Sequence, residues 1–366
     1  MGTGDKKVTM RAWAYTSRGA PGAVLKLRTD LPRPTPAELH ADEVIVKVSY
    51  VALDQGQSVI IRVFPHFNSK PWYPGLDFSG IVEAVGSNVT HVQPGDPVFG
   101  SPDPKVLLKW GHKYNGMLVE HAFLPAAQVV RKPPNISLAS ASTLATNGCT
   151  AFQFIDLVNM KQGDRVLITG ASGGLGTLMV QVVRSVVGKE GTIIGTCSAP
   201  NEELVKKLGA DEVIDYRAHP VLNEYLTSKY STNPFDSIID IAGADDQLYD
   251  KSPAYLKPDG AYLIGGKMSI THGSGGFLQI LSWALRFYSK AFLPRFLGGT
   301  PRKGFFHSAN VIPEDIVRTA ALVEAGQLTG TIDTEYAMED ALKAFEGTAR
   351  GRARGKFIVN VQNHSD

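Results

Sequence analysis

The sequence predicts an α/β protein of two domains, a small β-barrel and a doubly wound parallel sheet. Three observations carry this. Short strand-like runs punctuated by Gly, Pro, Asn and Asp fill the chain to about residue 130. Helix and strand then alternate from about Leu138, and after Pro313 a helix, a strand and a helix lead to a closing strand, "GKFIVNV" (355–361).

The barrel strands are "MRAWAY" from Met10, "EVIVKVSYVAL" from Glu43, "SGIVEAVG" from Ser79, "DPVFG" from Asp96 and "LVEHAFLP" from Leu118. Their alternation of apolar and polar residues fits strands with one face in a core. "RKPPNIS" (131–137) breaks the pattern. Beyond it come the helix "SASTLATNGCTAFQFIDLV", the strand "RVLITG", the helix "LGTLMVQVVRSVV", the strand "GTIIGTC", the helix "NEELVKKLG" and the strands "EVIDY", "FDSIIDIAG" and "AYLIGG". Near-continuous apolar strands between helices indicate a parallel sheet covered on both faces. The expected domains are 1–139 with 310–366, and 140–309.

A chain of 366 residues, 43% hydrophobic, can bury a substantial core. Lys and Arg number 37 against 35 Asp and Glu, a net charge of +2 that offers no whole-chain case for nucleic acid. Two cysteines, Cys149 and Cys197, are too few for a disulfide framework or a four-thiolate zinc site, so a reducing, cytoplasmic setting is expected, with mitochondrial association as the alternative. The amino-terminal "MGTGDKKVTMRAWAY" has no apolar signal core, and no run reaches the about 18 to 20 apolar residues that span a bilayer.

The stretch "VLITGASGGLGTLMVQ" (166–181) holds a strand, a glycine-rich turn and the opening of a helix. Glycines there allow a sharp turn, close approach of a phosphate and tight helix packing, while the helix N-terminus offers free N–H groups to a pyrophosphate. Two patterns fit: Thr169-Gly170-xxx-Gly174-Leu175-Gly176 and Ala171-x-Gly173-x-x-Gly176. The first belongs with a catalytic Tyr-xxx-Lys beyond the fourth strand of the same sheet. Tyr225-xxx-Lys229 follows the turn too soon, and the turn itself comes late in the chain. The second agrees with the order of barrel, nucleotide fold and return to the barrel.

With "PGLDFSGIVEAVG" (74–86), "VQPGDPVFG" (92–100), "TGASGGLG" with Gln181, "KLGADEVIDY" (207–216), "LPRFLGGTPRKGFF" (293–306) and "GRARGKFIVNV" (351–361), the sequence resembles the medium-chain dehydrogenase/reductase superfamily over nearly its full length. Within it the sequence is similar to the zinc-independent quinone oxidoreductases, particularly the reticulon-4-interacting-protein-like branch. The resemblance implies a GroES-like catalytic barrel with a Rossmann domain that binds NADPH. It assigns the cofactor to Thr150, Ala171, Ser172, Gly173, Gly174, Leu175, Gly176, Ser198, Tyr216, Gly243, Gly265, Gly266 and Arg352, with Ser198 and Tyr216 at the 2′-phosphate. NAD enzymes carry an acid at the end of the second strand, and here "GTIIGTCSAPNEE" ends at Thr196-Cys197-Ser198 without one, which favours NADPH. Pro200 stands where many relatives have lysine, so the preference is expected to be modest. Arg352 and Arg354 read equally well as solvated cations at a helix end.

Zinc members of the superfamily need Cys and His ligands. Gly75-Leu76-Asp77 matches their Gly-His-Glu motif, "VALDQGQS" has no thiol, Cys149 falls a few residues from the corresponding zinc cysteine, and His66, His112 and His121 are scattered. No metal is expected. Relatives present Asn-Pro-x-Asp, or Asn followed by tyrosine, in the loop matching Leu53 to Arg62; here Asp54 replaces the amide and Gln57 the aspartate. Asp54, Gln57 and Tyr50 are the candidate catalytic residues. The implied chemistry is hydride transfer to a conjugated C=C of an enone or to a quinone, on a small-molecule, bulky, apolar substrate. A redox-neutral biosynthetic catalyst on the same scaffold and a non-enzymatic NADPH-binding protein are the alternatives.

Between Asp259 and Glu314 lie 54 residues with no Asp or Glu and six cations, Lys267, Arg286, Lys290, Arg295, Arg302 and Lys303. Inside this stretch, apolar residues at 277, 280, 281, 284, 288 and 291 oppose Gln279, Ser282, Arg286 and Ser289 at helical spacing. Three roles fit: a helix packed on its own domain, a lid, or a peripheral contact with a membrane surface. "KGFFHSA" (303–309) matches the edge strand through which relatives pair, so a homodimer through 303–308 is expected, with a monomer as the alternative.

Overall fold

The computed structural model describes residues 8–63, 70–103, 115–245, 247–265, 277–307 and 310–362. Two compact units emerge: residues 1–149 with 310–351 and 356–366, and residues 150–309 with 352–355.

In the first unit β3 (Glu43–Leu53) is the spine. It pairs antiparallel with β4 (Phe78–Val85), β6 (His121–Pro125) and β15 (Lys356–Asn360). β5 (Pro97–Gly100) and β7 (Val129–Arg131) extend the sheet beyond β4, and β14 (Ile332–Ala337) lies parallel outside β15. Partners on every side explain why β3 is buried along almost its whole length. β1 (Thr9–Ala14) pairs with β2 (Lys26–Pro32) as a separate ribbon. β2 has no strand signature in the sequence because only Leu31 of it is buried, which leaves no apolar alternation to read.

The second unit is a six-stranded parallel sheet in the order β10 (Glu212–Asp215), β9 (Thr192–Cys197), β8 (Arg165–Thr169), β11 (Phe235–Asp240), β12 (Leu256–Ile264), β13 (Lys303–Phe306). The order reverses beside β8, and the glycine turn follows β8 at that switch point, where open α/β sheets take their ligands. The mixed α/β class read from the sequence is the one observed.

One face was misread from its period. Residues Phe277–Phe292 form the expected helix, but it docks through Trp283 and Phe287. Their rings stack with centroids 5.9 Å apart, Trp283 meeting Phe306 edge-on at 5.0 Å and Phe287 lying 5.2 Å from Tyr249. Leu281 and Tyr288, expected inside, are exposed. The helix is apolar around more than half its circumference, so periodicity does not select the slice that packs; the large rings do. The side chains of Phe277 and Ile280, with Gly266, Lys267, His66 and His112, lie outside the described residues.

Candidate active site and cofactor cradle

In the second unit the cradle begins where β8 ends. Gly170 adopts φ +66°, a left-handed conformation that suits glycine, and turns the chain into the Gly174–Val187 helix. A Cβ on Gly176 would stand 2.1 Å from the Gly170 carbonyl oxygen, so that glycine is required by the fold. Gly173 differs. Its backbone is extended, and a Cβ there would meet only the Gly170 oxygen at 3.5 Å. The protein leaves this side of the helix N-terminus open, which is the space a phosphate needs against bare backbone N–H groups. Ala171 is buried, while Gly174 and Leu175 are partly open. The Gly355 N–H donates to the Ser172 carbonyl at 3.0 Å, which ties the Arg352–Gly355 segment to the turn with Arg352 exposed.

At the ends of β9 and β10 the adenosine-side candidates meet. The Tyr216 N–H donates to the Cys197 carbonyl at 3.2 Å, which brings the exposed Tyr216 beside Ser198. Two residues missed in the sequence complete the group. Asn201 Nδ2 donates to Ser172 Oγ at 3.1 Å and to Ser198 Oγ at 3.4 Å, linking turn and strand end. Arg217 places its guanidinium 5.8 Å from the Tyr216 ring centroid, a cation beside this group where Pro200 offers none. The signal was its adjacency to Tyr216.

Toward the other end of the sheet, Asp240 organises the loop after β11. Its carboxylate accepts from Thr169 Oγ1 at 2.5 Å, the Gly243 N–H at 2.9 Å and Tyr262 Oη at 2.8 Å. Gly243 takes φ +53°, and a Cβ on Gly265 would strike the Phe154 ring at 2.4 Å. Thr150 is buried in the Ala145–Leu157 helix. The Tyr225–Lys229 pair sits on the Leu222–Tyr230 helix, where Lys229 bonds Tyr225 Oη at 3.1 Å and also pairs with Glu212.

In the first unit the candidate reacting end is helical rather than a loop. Asp54 caps the Gln55–Val63 helix, its Oδ1 accepting the Gln57 N–H at 3.1 Å. The same turn brings Asp54 and Gln57 together. Gln57 is buried, its Nε2 donates to the Ala52 carbonyl at 3.1 Å, and its Oε1 has no hydrogen-bond partner among the described residues. Burial pushes the Asp54 carboxyl above the usual carboxylate range; Lys356 pulls it back and Asp77 adds to the rise. Tyr50 is buried in a cluster with Ala52, Ala139 and Ile358. Gln57 lines a slot with Ile60, Ile61, Leu76 and Pro74, the rings of Tyr15, Trp72 and Tyr73, and Asn115, a largely apolar wall with few polar groups.

Behind this turn lies a buried ion pair that the sequence did not reveal. Asp77 is 1% and Lys356 2% exposed, and the ammonium bonds Asp77 Oδ2. Asp77 Oδ1 accepts the Thr146 N–H at 2.7 Å and the Thr146 hydroxyl, whose oxygen lies 3.0 Å from Ser101 Oγ. The carboxylate aligned with the zinc enzymes' Glu is therefore saturated by protein groups. Cys149 donates weakly to the Ile312 carbonyl at 3.6 Å; burial pushes its thiol up to about 12 and that of Cys197 up to about 11, far from ligand thiolates. His121 bonds Glu83 at 2.7 Å. Among the described residues no group of three or more His, Cys, Asp or Glu is placed to hold a metal.

A parallel sheet in this order with an open glycine cradle at its switch point, in a chain whose other unit is built on a mainly antiparallel sheet, defines the class of nucleotide-binding α/β proteins. A model of the alcohol dehydrogenase GroES-like domain matches residues 40–134, and one for zinc-binding dehydrogenases matches residues 208–359. The chain is 35% identical to the trans-enoyl reductase poxH of Penicillium oxalicum over 97% of its own length and 98% of that protein's. It is 32% identical to the human mitochondrial NAD(P)H oxidoreductase RTN4IP1, over 78% of this chain and 70% of that one. The quinone oxidoreductase of Coxiella burnetii superposes with a TM-score of 0.75 at 26% identity, covering 97% of this chain and all of the other. The chain belongs to the medium-chain dehydrogenase/reductase superfamily.

Proposed function

We propose that the protein is a zinc-independent, NADPH-dependent reductase acting on the conjugated C=C of an enone or on a quinone. The observation that carries the reading is the cradle at Gly173, open where a phosphate would approach, on a chain that aligns end to end with a trans-enoyl reductase. Bound NADPH would supply the hydride. The turn from Ala171 to Gly176 binds the pyrophosphate, and Ser198, Tyr216 and Arg217 recognise the 2′-phosphate. Thr150, Gly243, Gly265 and Arg352 border the remainder of the cofactor.

Hydride addition to the β-carbon leaves an enolate whose oxygen needs hydrogen bonds and whose α-carbon needs a proton. The Asp54–Gln57 turn is the proposed polar end for that step, and the apolar slot beside it takes the apolar body of the substrate. Saturation of Asp77 by Lys356 and Thr146 supports a site that works without a Lewis-acid metal. A dimer through the β13 edge belongs to the same proposal, since β13 has a strand neighbour only in β12 among the described residues. The test is NADPH consumption with a panel of enones and quinones, before and after chelation. Turnover unaffected by chelation, with NADPH preferred to NADH, is expected. Loss of activity on chelation, or unchanged substrate mass at full turnover, would overturn the proposal.

A further inference from the structure

The helix Phe277–Phe292 leaves a second apolar face uncovered. Leu278, Leu281, Leu285, Tyr288 and Phe292 are all exposed, from 40% at Tyr288 to 78% at Phe292. Their spacing of three and four residues sets them on one stripe. The chain continues it into Leu293, Phe296 and Leu297, with Phe296 at 84%. More than half of the large exposed apolar side chains among the described residues fall in this one segment. Scattered exposed apolar residues need no explanation, but a contiguous stripe marks a surface that something covers.

The charge around the stripe selects the occupant. The segment carries no acid from residue 260 to 313, and Arg286, Arg295 and Lys303 are exposed. The acids facing this helix, Asp240, Asp245 and Asp250, come from its packed side: they line a pocket with Trp283, Phe287, Arg286 and Lys290, and Asp250 pairs with Lys290 at 3.4 Å. Arg302 spends its guanidinium on the carbonyls of Leu256 and Pro253. A second copy stacked stripe to stripe would bring like charges together, whereas an anionic lipid surface would accept both the cations and the apolar side chains. At 16 residues the helix is too short to cross a bilayer, and among the described residues no helix is long and apolar enough to do so.

We infer that the exposed face of the Phe277–Phe292 helix, continued by Leu293–Leu297, docks the protein on an anionic membrane surface, apolar side chains in the interface and Arg286 and Arg295 at the headgroups. The inference stands independently of the reductase reading. The experiment is co-sedimentation of the full chain with vesicles of phosphatidylcholine alone and of an equimolar mixture with phosphatidylglycerol. The mixed vesicles are expected to carry down the protein and the neutral ones much less. Leu285→Glu with Phe292→Glu, both on side chains already in solvent, should weaken binding by about tenfold or more, and Arg286→Glu with Arg295→Glu should erase the preference for anionic vesicles. Circular dichroism confirms that both variants fold, and consumption of NADPH with a water-soluble enone should be unchanged in each.

Absence of sedimentation with either vesicle overturns the inference, as does equal binding by the Leu285→Glu/Phe292→Glu variant. Light scattering that shows a dimer dissociated by that variant, without vesicle binding, assigns the stripe to a second copy and overturns it too. A rise in KM for the soluble enone in that variant, again without vesicle binding, assigns the segment to a lid.

Discussion

Replacing Asp54 by Asn separates the two roles that the structure allows this residue. The carboxylate caps a helix, and Asn retains an acceptor for the Gln57 N–H at 3.1 Å, so the cap survives, whereas Asp54→Ala should cost about 1 kcal/mol of stability. Removal of the ionisable group has its own sign. Burial raises the Asp54 carboxyl, so between the ordinary carboxylate value and the raised one the folded chain holds a proton that the unfolded chain has released. The contribution to stability is complete below the unfolded value and is lost as pH rises through the folded one. Urea unfolding across that window should therefore show a fall with rising pH that is flattened in Asp54→Asn. For catalysis, a role confined to positioning predicts turnover within about tenfold of the parent, or about 1.4 kcal/mol of transition-state stabilisation. A proton-transfer role predicts a loss of about 100-fold or more together with a missing limb of the pH–rate profile. We expect the first outcome, because the carboxylate already serves the backbone of its own helix. Turnover reduced by about 100-fold with cofactor affinity unchanged would refute that reasoning.

The remaining predictions test the other parts of the two units. Lys356→Met leaves Asp77 buried without its cation and should cost about 3–5 kcal/mol, read as a fall of roughly 10 °C in Tm by calorimetry, while adding Asp77→Asn should recover part of the loss. Gly173→Val should leave Tm nearly unchanged yet abolish NADPH binding in a calorimetric titration, since the added side chain meets open space in the protein and the pyrophosphate in the complex. Gly176→Ala should do the reverse, lowering Tm through its clash with the Gly170 oxygen at an overpacking cost of about 1–3 kcal/mol. Arg217→Ala should weaken NADPH by about tenfold and leave NADH unchanged; equal losses for both would remove Arg217 from the 2′-phosphate.

What the sequence revealed, it revealed through local patterns. β8 and its neighbours carry near-continuous apolar runs because the sheet is covered on both faces, and the glycine turn is legible because its requirements are met by consecutive residues. β2 failed the same reading because it buries one side chain. The Asp77–Lys356 pair failed for another reason: its members stand 279 residues apart, and nothing near either residue marks the other. Such a pair is a product of topology, made when β15 returns to lie beside β3.

Asp54 and Gln57 hold a subtler lesson. Against relatives, an acid and an amide in exchanged positions read as altered chemistry. Against the chain itself, Asp54-x-x-Gln57 is the spacing of a helix N-cap and its third residue, and the structure puts a helix there. The signal for the cap was thus present in the same four residues that suggested catalysis. The two roles need not compete: the cap fixes the carboxylate, the amide donates to Ala52, and the Gln57 oxygen is left without a partner among the described residues, beside the apolar slot. A turn held by its own backbone bonds presents its side chains without further support, so the loss of a hydrogen bond to substrate at Gln57 is separable by mutation from the loss of the helix at Asp54.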